Sequence, residues 1–254
     1  MNSNEIKYFK AQDFTKYDAT EFPFWYLVKV LLVKIRRRLL GKILDRNARI
    51  VWTPTAVTDA FGAEDNVRNY VERKHLRKLI GFVKERYPIR TACEVGCGYG
   101  RVVMALSEFA DEVTGFEREK LLVDMASHAM PWIEFVNVPS LDQVGLVAKK
   151  KYDFVLTNAI LQHMNDEFCQ KVLDQIRLIA PEGHVLIIEK TESISVTENT
   201  SNNARFLSRA RPVEMYQKMM EPYSLVKTWP RVLEPTYFNK NPGTCMLFRS
   251  DKLK

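Results

Sequence analysis

Between residues 89 and 190 the chain alternates short apolar runs with stretches of helical spacing. The first run, Ile89 to Val95, carries an acid, Glu94, at its end. Glu112-Val-Thr-Gly-Phe-Glu117 reads as a second short strand that also ends in an acid. Trp132 to Leu141 is a third strand with the turn that follows it. Tyr152-Asp-Phe-Val-Leu-Thr-Asn is a fourth, and Ala180 to Glu189 is a turn and a fifth. Helical patterns open at Arg101, cover Lys120 to Ala129 and Phe168 to Ile179, and return at Pro212 to Met220 with proline in the first turn. Strands alternating with helices predict a parallel sheet covered on both faces. A chain of 254 residues, 46% hydrophobic, fits one α/β domain with additions. There are no internal repeats.

The densest signal is Cys93-Glu-Val-Gly-Cys-Gly-Tyr-Gly-Arg101. A strand, a glycine turn and a helix start form a nucleotide-cofactor cradle, because glycine lets backbone approach a ligand at positive φ. The dinucleotide fingerprint is G-x-G-x-x-G; here the pattern is E-x-G-x-G-x-G. That pattern resembles motif I of the class I S-adenosylmethionine (SAM) methyltransferases, and the likeness extends in consistent order over residues 70–190. Tyr152 to His163 resembles the family's fourth strand and following loop, and Pro181-Glu-Gly-His-Val-Leu-Ile its fifth-strand turn.

The resemblance implies a Rossmann-like, seven-stranded, mostly parallel sheet with helices on both faces. Ser224–Val232 and Gly243–Phe248 would form its antiparallel closing pair. It implies SAM as cofactor and S-adenosylhomocysteine as product. Glu94, Gly96, Cys97, Gly98 and Gly100 would line the amino-acid end of the cofactor, Glu117 would hold the ribose, and Arg118 and Asn158 would lie beside it. At the adenine turn the family usually has an acid, whereas here Pro139 and Ser140 stand there. Ser140 and Leu141 are then the adenine contacts, with Asp142 as substitute if the turn is longer.

His163 follows strand four at the ligand edge of the sheet, so it is the candidate base for a hydroxyl acceptor, with a packing role as the alternative. His75 and His128 are expected at the surface, and His184 in a structural role. After strand five comes a polar segment that in the family folds over the acceptor. Arg205, Arg209 and Arg211 close it and suit bidentate capture of an anion, and Tyr216 follows as a further acceptor-side candidate. No metal constellation is present in the sequence.

The formal net charge of +7 raises nucleic acid as a partner. The loop Thr157-Asn-Ala-Ile160 offers no aromatic on which an extruded base could stack, which favours a small-molecule, sugar or lipid-linked glycan acceptor. The alternatives are a non-catalytic SAM-binding or assembly module, and an RNA or protein methyltransferase. Residues 1–70 are expected as a helical cap and 71–254 as the methyltransferase domain. Within the cap, residues 22–44 join aromatics, an interrupted apolar run and a basic stretch. This predicts a helix that packs on the core or on a second copy in a homodimer, or lies on an anionic membrane surface. Four cysteines without zinc spacing and a polar N-terminus predict a cytoplasmic protein, with peripheral membrane contact through that helix.

Overall fold

The structure is a computed structural model that describes residues 72–191, 209–231 and 243–252. The expectations for the cap at 1–70, its segment 22–44 and Arg205 lie outside those residues.

In chain order the elements are helix α1 (72–84), β1 (Thr91–Val95), α2 (Arg101–Leu106), β2 (Glu112–Glu117), α3 (Lys120–Ala129) and β3 (Glu134–Asn137). A 3-10 turn (Leu141–Gln143) and the short α4 (Val144–Val147) lead to β4 (Phe154–Asn158). A second 3-10 turn (Leu161–His163), α5 (Asp166–Ile179), β5 (His184–Glu189), α6 (Val213–Met220), β6 (Tyr223–Pro230) and β7 (Thr244–Ser250) complete them. Among the described residues the sheet has seven strands in the order β3-β2-β1-β4-β5-β7-β6. Neighbours among β1 to β5 pair parallel, and β7 pairs antiparallel with both β5 and β6, so β7 alone runs against the rest.

The strands explain themselves by their two-sided burial. Val185 and Ile187 of β5 pack under α5 and α6 with Cys169, Val172, Leu173, Tyr216 and Met220. Leu186 and Ile188 point the other way, toward α1 and α2, with Leu76, Ile80, Val103 and Leu106. A strand buried on both faces must be apolar at every position, which is why Val-Leu-Ile-Ile is unbroken. Helix α5 starts at Asp166 because Asn165 caps it, its side-chain oxygen accepting from Phe168 N at 2.8 Å, with Asp166 and Glu167 in the first turn. The edge strand β6 is guarded by a register irregularity between Leu225 and Lys227 and by exposed Lys227.

At the foot of the sheet, Asp153 Oδ2 accepts from the backbone N–H groups of Arg90 and Thr91 at 2.9 and 2.8 Å and from Thr91 Oγ1 at 3.0 Å. It ties β1 to β4 at the end opposite the glycine turn. The third strand is shorter than its apolar pattern: Trp132 stands before it, 68% exposed. His184 is buried against Tyr87, ring centroids 4.5 Å apart. Burial and the Arg249 charge lower its pKa to about 4. His75 is half-buried near Cys245 rather than at the surface, because α1 lies on the sheet and turns that flank inward.

Candidate active site

The strand order reverses at β1 and β4, whose carboxyl ends form the crevice where open α/β sheets bind ligands. The turn Gly96–Gly100 leaves β1 into this crevice. Its first amides are tied down: Gly96 N and Cys97 N donate to Phe116 O at 2.8 and 3.0 Å, and Gly100 N to Cys97 O at 2.9 Å. Gly96 has φ 77°, and a Cβ there would lie 2.7 Å from Ile160 Cγ2. Gly98 has φ 55°, and a Cβ there would meet nothing within 4 Å, so its face is open. The Cys97 thiol turns away and packs over Gly115, so only its backbone faces the cradle.

Glu94, the last residue but one of β1, lies on the α1 side and is 3% exposed. Its Oε2 is buried without a hydrogen-bond partner. Burial holds its carboxyl well above the usual carboxylate range, and the Arg101 charge only partly offsets this. Glu117 ends β2 opposite. Its Oε2 accepts from Gly98 N at 2.8 Å, and its Oε1 from Arg118 N and Glu119 N at 2.8 and 3.0 Å. Glu117 therefore braces the glycine turn from across the crevice. Arg118 contributes that backbone N–H, while its guanidinium lies outward on Glu119. At the end of β3, Ser140 precedes the 3-10 turn and accepts from Gln143 N through its backbone. Leu141 packs into the core, and Asp142 Oδ1 is buried without a partner.

A charged cluster lies behind Glu94, and the sequence pattern gave little sign of it. Glu72, on α1, is 2% exposed and pairs with Arg101 and with Arg231 at 3.2 Å. Asn158 sits between them. Its Nδ2 donates to Glu72 Oε1 at 3.0 Å and its Oδ1 accepts from Arg231 Nη2 at 2.7 Å. The Asn158 amide is thus used by the wall of the crevice. Burial acts against the Glu72 carboxylate, but the two guanidiniums and the hydrogen bonds outweigh it and bring its pKa to about 2.

The turn after β4 is held at both poles. Glu189, fully buried at the end of β5, accepts from Ile160 N at 2.9 Å, Leu161 N at 2.8 Å and Gln162 N at 3.2 Å. Burial still prevails over these bonds and raises its pKa to about 7. Arg211 is 1% exposed; its Nη1 donates to Leu161 O at 2.7 Å, its Nη2 to Met164 O and its Nε to Asp166 Oδ1 at 2.8 Å. Arg209 N donates to Gln162 O at 2.7 Å, and its guanidinium to Asp166 at 2.5 Å. His163 ends this turn, exposed, with its Nε2 3.2 Å from Gln162 Nε2.

The structure therefore corrects two of the acceptor-side expectations. Arg211 and Tyr216 do not face the crevice: the arginine is a strut for the turn, and the tyrosine is buried in the core under α6. An arginine whose three nitrogens each donate to a nearby carbonyl or carboxylate cannot be told from a surface arginine by spacing. Among the described residues no group of three or more His, Cys, Asp or Glu side chains is arranged to hold a metal ion. No described helix is long and apolar enough to cross a membrane.

A sheet of this order with a glycine turn at its reversal point is the class I, Rossmann-like methyltransferase fold. The chain belongs to the methyltransferase-domain family, whose model matches residues 36–224. Solved structures share the fold at low identity. The N-methyltransferase NodS from Bradyrhizobium japonicum, solved with S-adenosyl-L-homocysteine, is 15% identical with a TM-score of 0.54, over 71% of this chain and 87% of that one. Magnesium protoporphyrin IX methyltransferase (ChlM) from Synechocystis, solved with SAM, is 13% identical with a TM-score of 0.52, over 73% and 80%. An S-adenosylmethionine-dependent methyltransferase from Clostridium acetobutylicum is 10% identical with a TM-score of 0.56, over 77% and 96%. A comparison with curated proteins gives no significant match.

Proposed function

We propose that the protein is a SAM-dependent methyltransferase that methylates a hydroxyl group of a small molecule, sugar or lipid-linked glycan. The observation that carries the cofactor half is Glu94. A buried carboxyl with an orphaned oxygen and a raised pKa is a site awaiting a cation, and an amino-acid ammonium is a cation of the right size. The rest of the crevice fits the same ligand. Gly98 leaves open space beside the turn. Glu117 accepts three amide hydrogen bonds, and a carboxylate has about four acceptor sites, so capacity remains for a ribose hydroxyl. The orphaned Asp142 Oδ1 suits an adenine amino group better than Ser140 does.

SAM supplies, when bound, an electrophilic methyl carbon on a sulfonium. The chain's own part is to align and to deprotonate. Glu94 and Glu117 fix the amino-acid end and the ribose of the cofactor, and Ile160, packed against Gly96, closes the floor between them. The His163 imidazole receives the proton of the acceptor hydroxyl as oxygen attacks. Arg209, partly exposed at the rim, and Arg205 attract an acceptor bearing carboxylate or phosphate.

The test is methyl transfer from labelled SAM to a panel of hydroxylated metabolites, nucleotide sugars and lipid-linked glycans, with wild type and His163→Ala. The variant is expected to bind S-adenosylhomocysteine as wild type does and to lose transfer. Full turnover by His163→Ala on a hydroxyl acceptor removes the histidine from the reaction. Transfer only to amines moves the acceptor from oxygen to nitrogen.

A further inference from the structure

The two poles of the post-β4 turn are held by groups of opposite charge. On the N–H side, one buried carboxylate, Glu189, accepts from three consecutive amides, those of Ile160, Leu161 and Gln162. On the C=O side, the Arg211 guanidinium takes the carbonyls of Leu161 and Met164, and Arg209 N takes that of Gln162. Both side chains sit where a charge is expensive: Glu189 is 0% and Arg211 1% exposed. The turn they hold is also strained at its root. Ala159 has φ 57°, a left-handed conformation that is unfavourable for an L side chain. Such a residue persists only where its surroundings over-determine it. Its N–H is fixed on Ile188 O at 2.8 Å, and the next three N–H groups on Glu189.

What the turn carries lies at the crevice. Ile160 fits so closely over Gly96 that a methyl group there would collide with it. Two residues beyond Leu161, His163 reaches the surface.

We infer that Glu189 and Arg211 are positioning residues of the reaction. They fix the turn 159–164 from opposite poles, so that Ile160 closes the floor of the cofactor site and His163 is presented to the acceptor. The inference rests on the reading of the crevice as a SAM site. It adds that the segment re-entering at residues 209–212 is locked to the same turn, through Arg209 and Arg211, so acceptor-side and cofactor-side geometry are set together.

The carboxylate form of Glu189 makes the three-amide contact best. Protonation removes acceptor capacity at one oxygen. Because its pKa stands at about 7, cofactor affinity is expected to rise with pH through that value. The groups facing Glu189 are Arg231 beyond β6, Cys169 on α5 and Tyr216 on α6. Burial pushes the Cys169 thiol and the Tyr216 phenol pKa up, so neither becomes charged near neutrality. Glu94, with its own raised pKa, contributes to the same trend, so the step belonging to Glu189 is the difference between wild type and Glu189→Gln.

The experiment titrates the full chain with S-adenosyl-L-homocysteine between pH 6 and 8.5 in wild type, Glu189→Gln, Arg211→Lys and Asp153→Asn, with a thermal midpoint for each. Asp153→Asn is the control, since Asp153 also accepts from two backbone amides and a hydroxyl, but at the opposite end of the sheet. Glu189→Gln keeps size and shape but reverses one acceptor into a donor facing Gln162 N–H. Its affinity is expected to fall about tenfold, the scale of a lost charged hydrogen bond, with a flatter pH profile. Arg211→Lys keeps the charge and loses the fork, and is expected to weaken binding several-fold; it also reads the turn if Glu189→Gln does not fold. Asp153→Asn is expected to lower the thermal midpoint and leave affinity unchanged. If Glu189→Gln and Arg211→Lys lower the midpoint like Asp153→Asn but bind like wild type, the two residues serve stability alone and the inference is overturned. If wild type itself does not bind, the reading of the crevice fails, and the inference with it.

Discussion

Replacing Gly96 by alanine separates two costs that the structure lets one calculate. The first is conformational. At φ 77° a Cβ is crowded by the backbone, at about 1–2 kcal/mol. The second is steric. The new methyl would lie 2.7 Å from Ile160 Cγ2 and 2.8 Å from its Cδ1, and overpacking of this kind costs about 1–3 kcal/mol. Ile160 cannot easily yield, because its own N–H is bound to Glu189 Oε1 at 2.9 Å. The sum is about 2–5 kcal/mol of lost stability. Gly98→Ala meets only the first cost, about 1–2 kcal/mol, since nothing lies within 4 Å of a Cβ there. Urea denaturation of Gly96→Ala, Ile160→Ala and the double variant closes a cycle. Removing the isoleucine should restore the steric part, so the coupling energy should be about 1–3 kcal/mol and favourable. A coupling within about 0.5 kcal/mol of zero would mean that Ile160 does not press on the glycine turn, and the link between the two loops would be lost.

Three further outcomes follow from the charges in the crevice. Binding of SAM or S-adenosylhomocysteine should release a proton from Glu94, whose pKa is raised in the free protein and lowered by a bound ammonium. Calorimetric enthalpies that do not vary with the ionisation enthalpy of the buffer would refute this. Glu72 has a folded pKa of about 2 against an ordinary 4.5, so it contributes stability above pH 4.5 that is lost as pH falls toward 2. That contribution is about 3 kcal/mol, and unfolding of Glu72→Gln across pH 2 to 5 should show a flatter acid limb than wild type. Glu117→Ala should weaken cofactor binding by roughly 1.5–3 kcal/mol, since it removes a carboxylate contact and frees Gly98 N–H; equal affinity in equilibrium dialysis would sink its assignment.

Local spacing was enough for the elements that flank the crevice. The apolar runs predicted β1, β2, β4 and β5 because strands buried on both faces leave no freedom in composition. The acids stand at strand termini: Glu94 is the last residue but one of β1, and Glu117 the last of β2. Two kinds of feature were not legible. One is where an edge strand starts: the strand read from Trp132, with its turn running to Leu141, pairs only over Glu134–Asn137, because pairing, unlike pattern, depends on a neighbour. The other is the partner of a buried charge. Arg211 was expected to face an acceptor, and nothing local marks Glu72 or Arg231; only tertiary contacts over tens of residues turn them into walls and struts. Glu189 carried a faint sign, an acid closing an apolar strand as Glu94 and Glu117 do. Spacing does not say that it binds backbone amides instead of a ligand.

The most direct test of the central claim is calorimetric titration of the full chain with S-adenosyl-L-homocysteine, repeated with Glu94→Gln. The account predicts one-to-one binding by wild type and an affinity at least about tenfold weaker in a folded Glu94→Gln, because the orphaned carboxyl oxygen is the cation's partner. A folded wild-type protein that gives no binding, or a Glu94→Gln variant that binds as tightly as wild type, would contradict it.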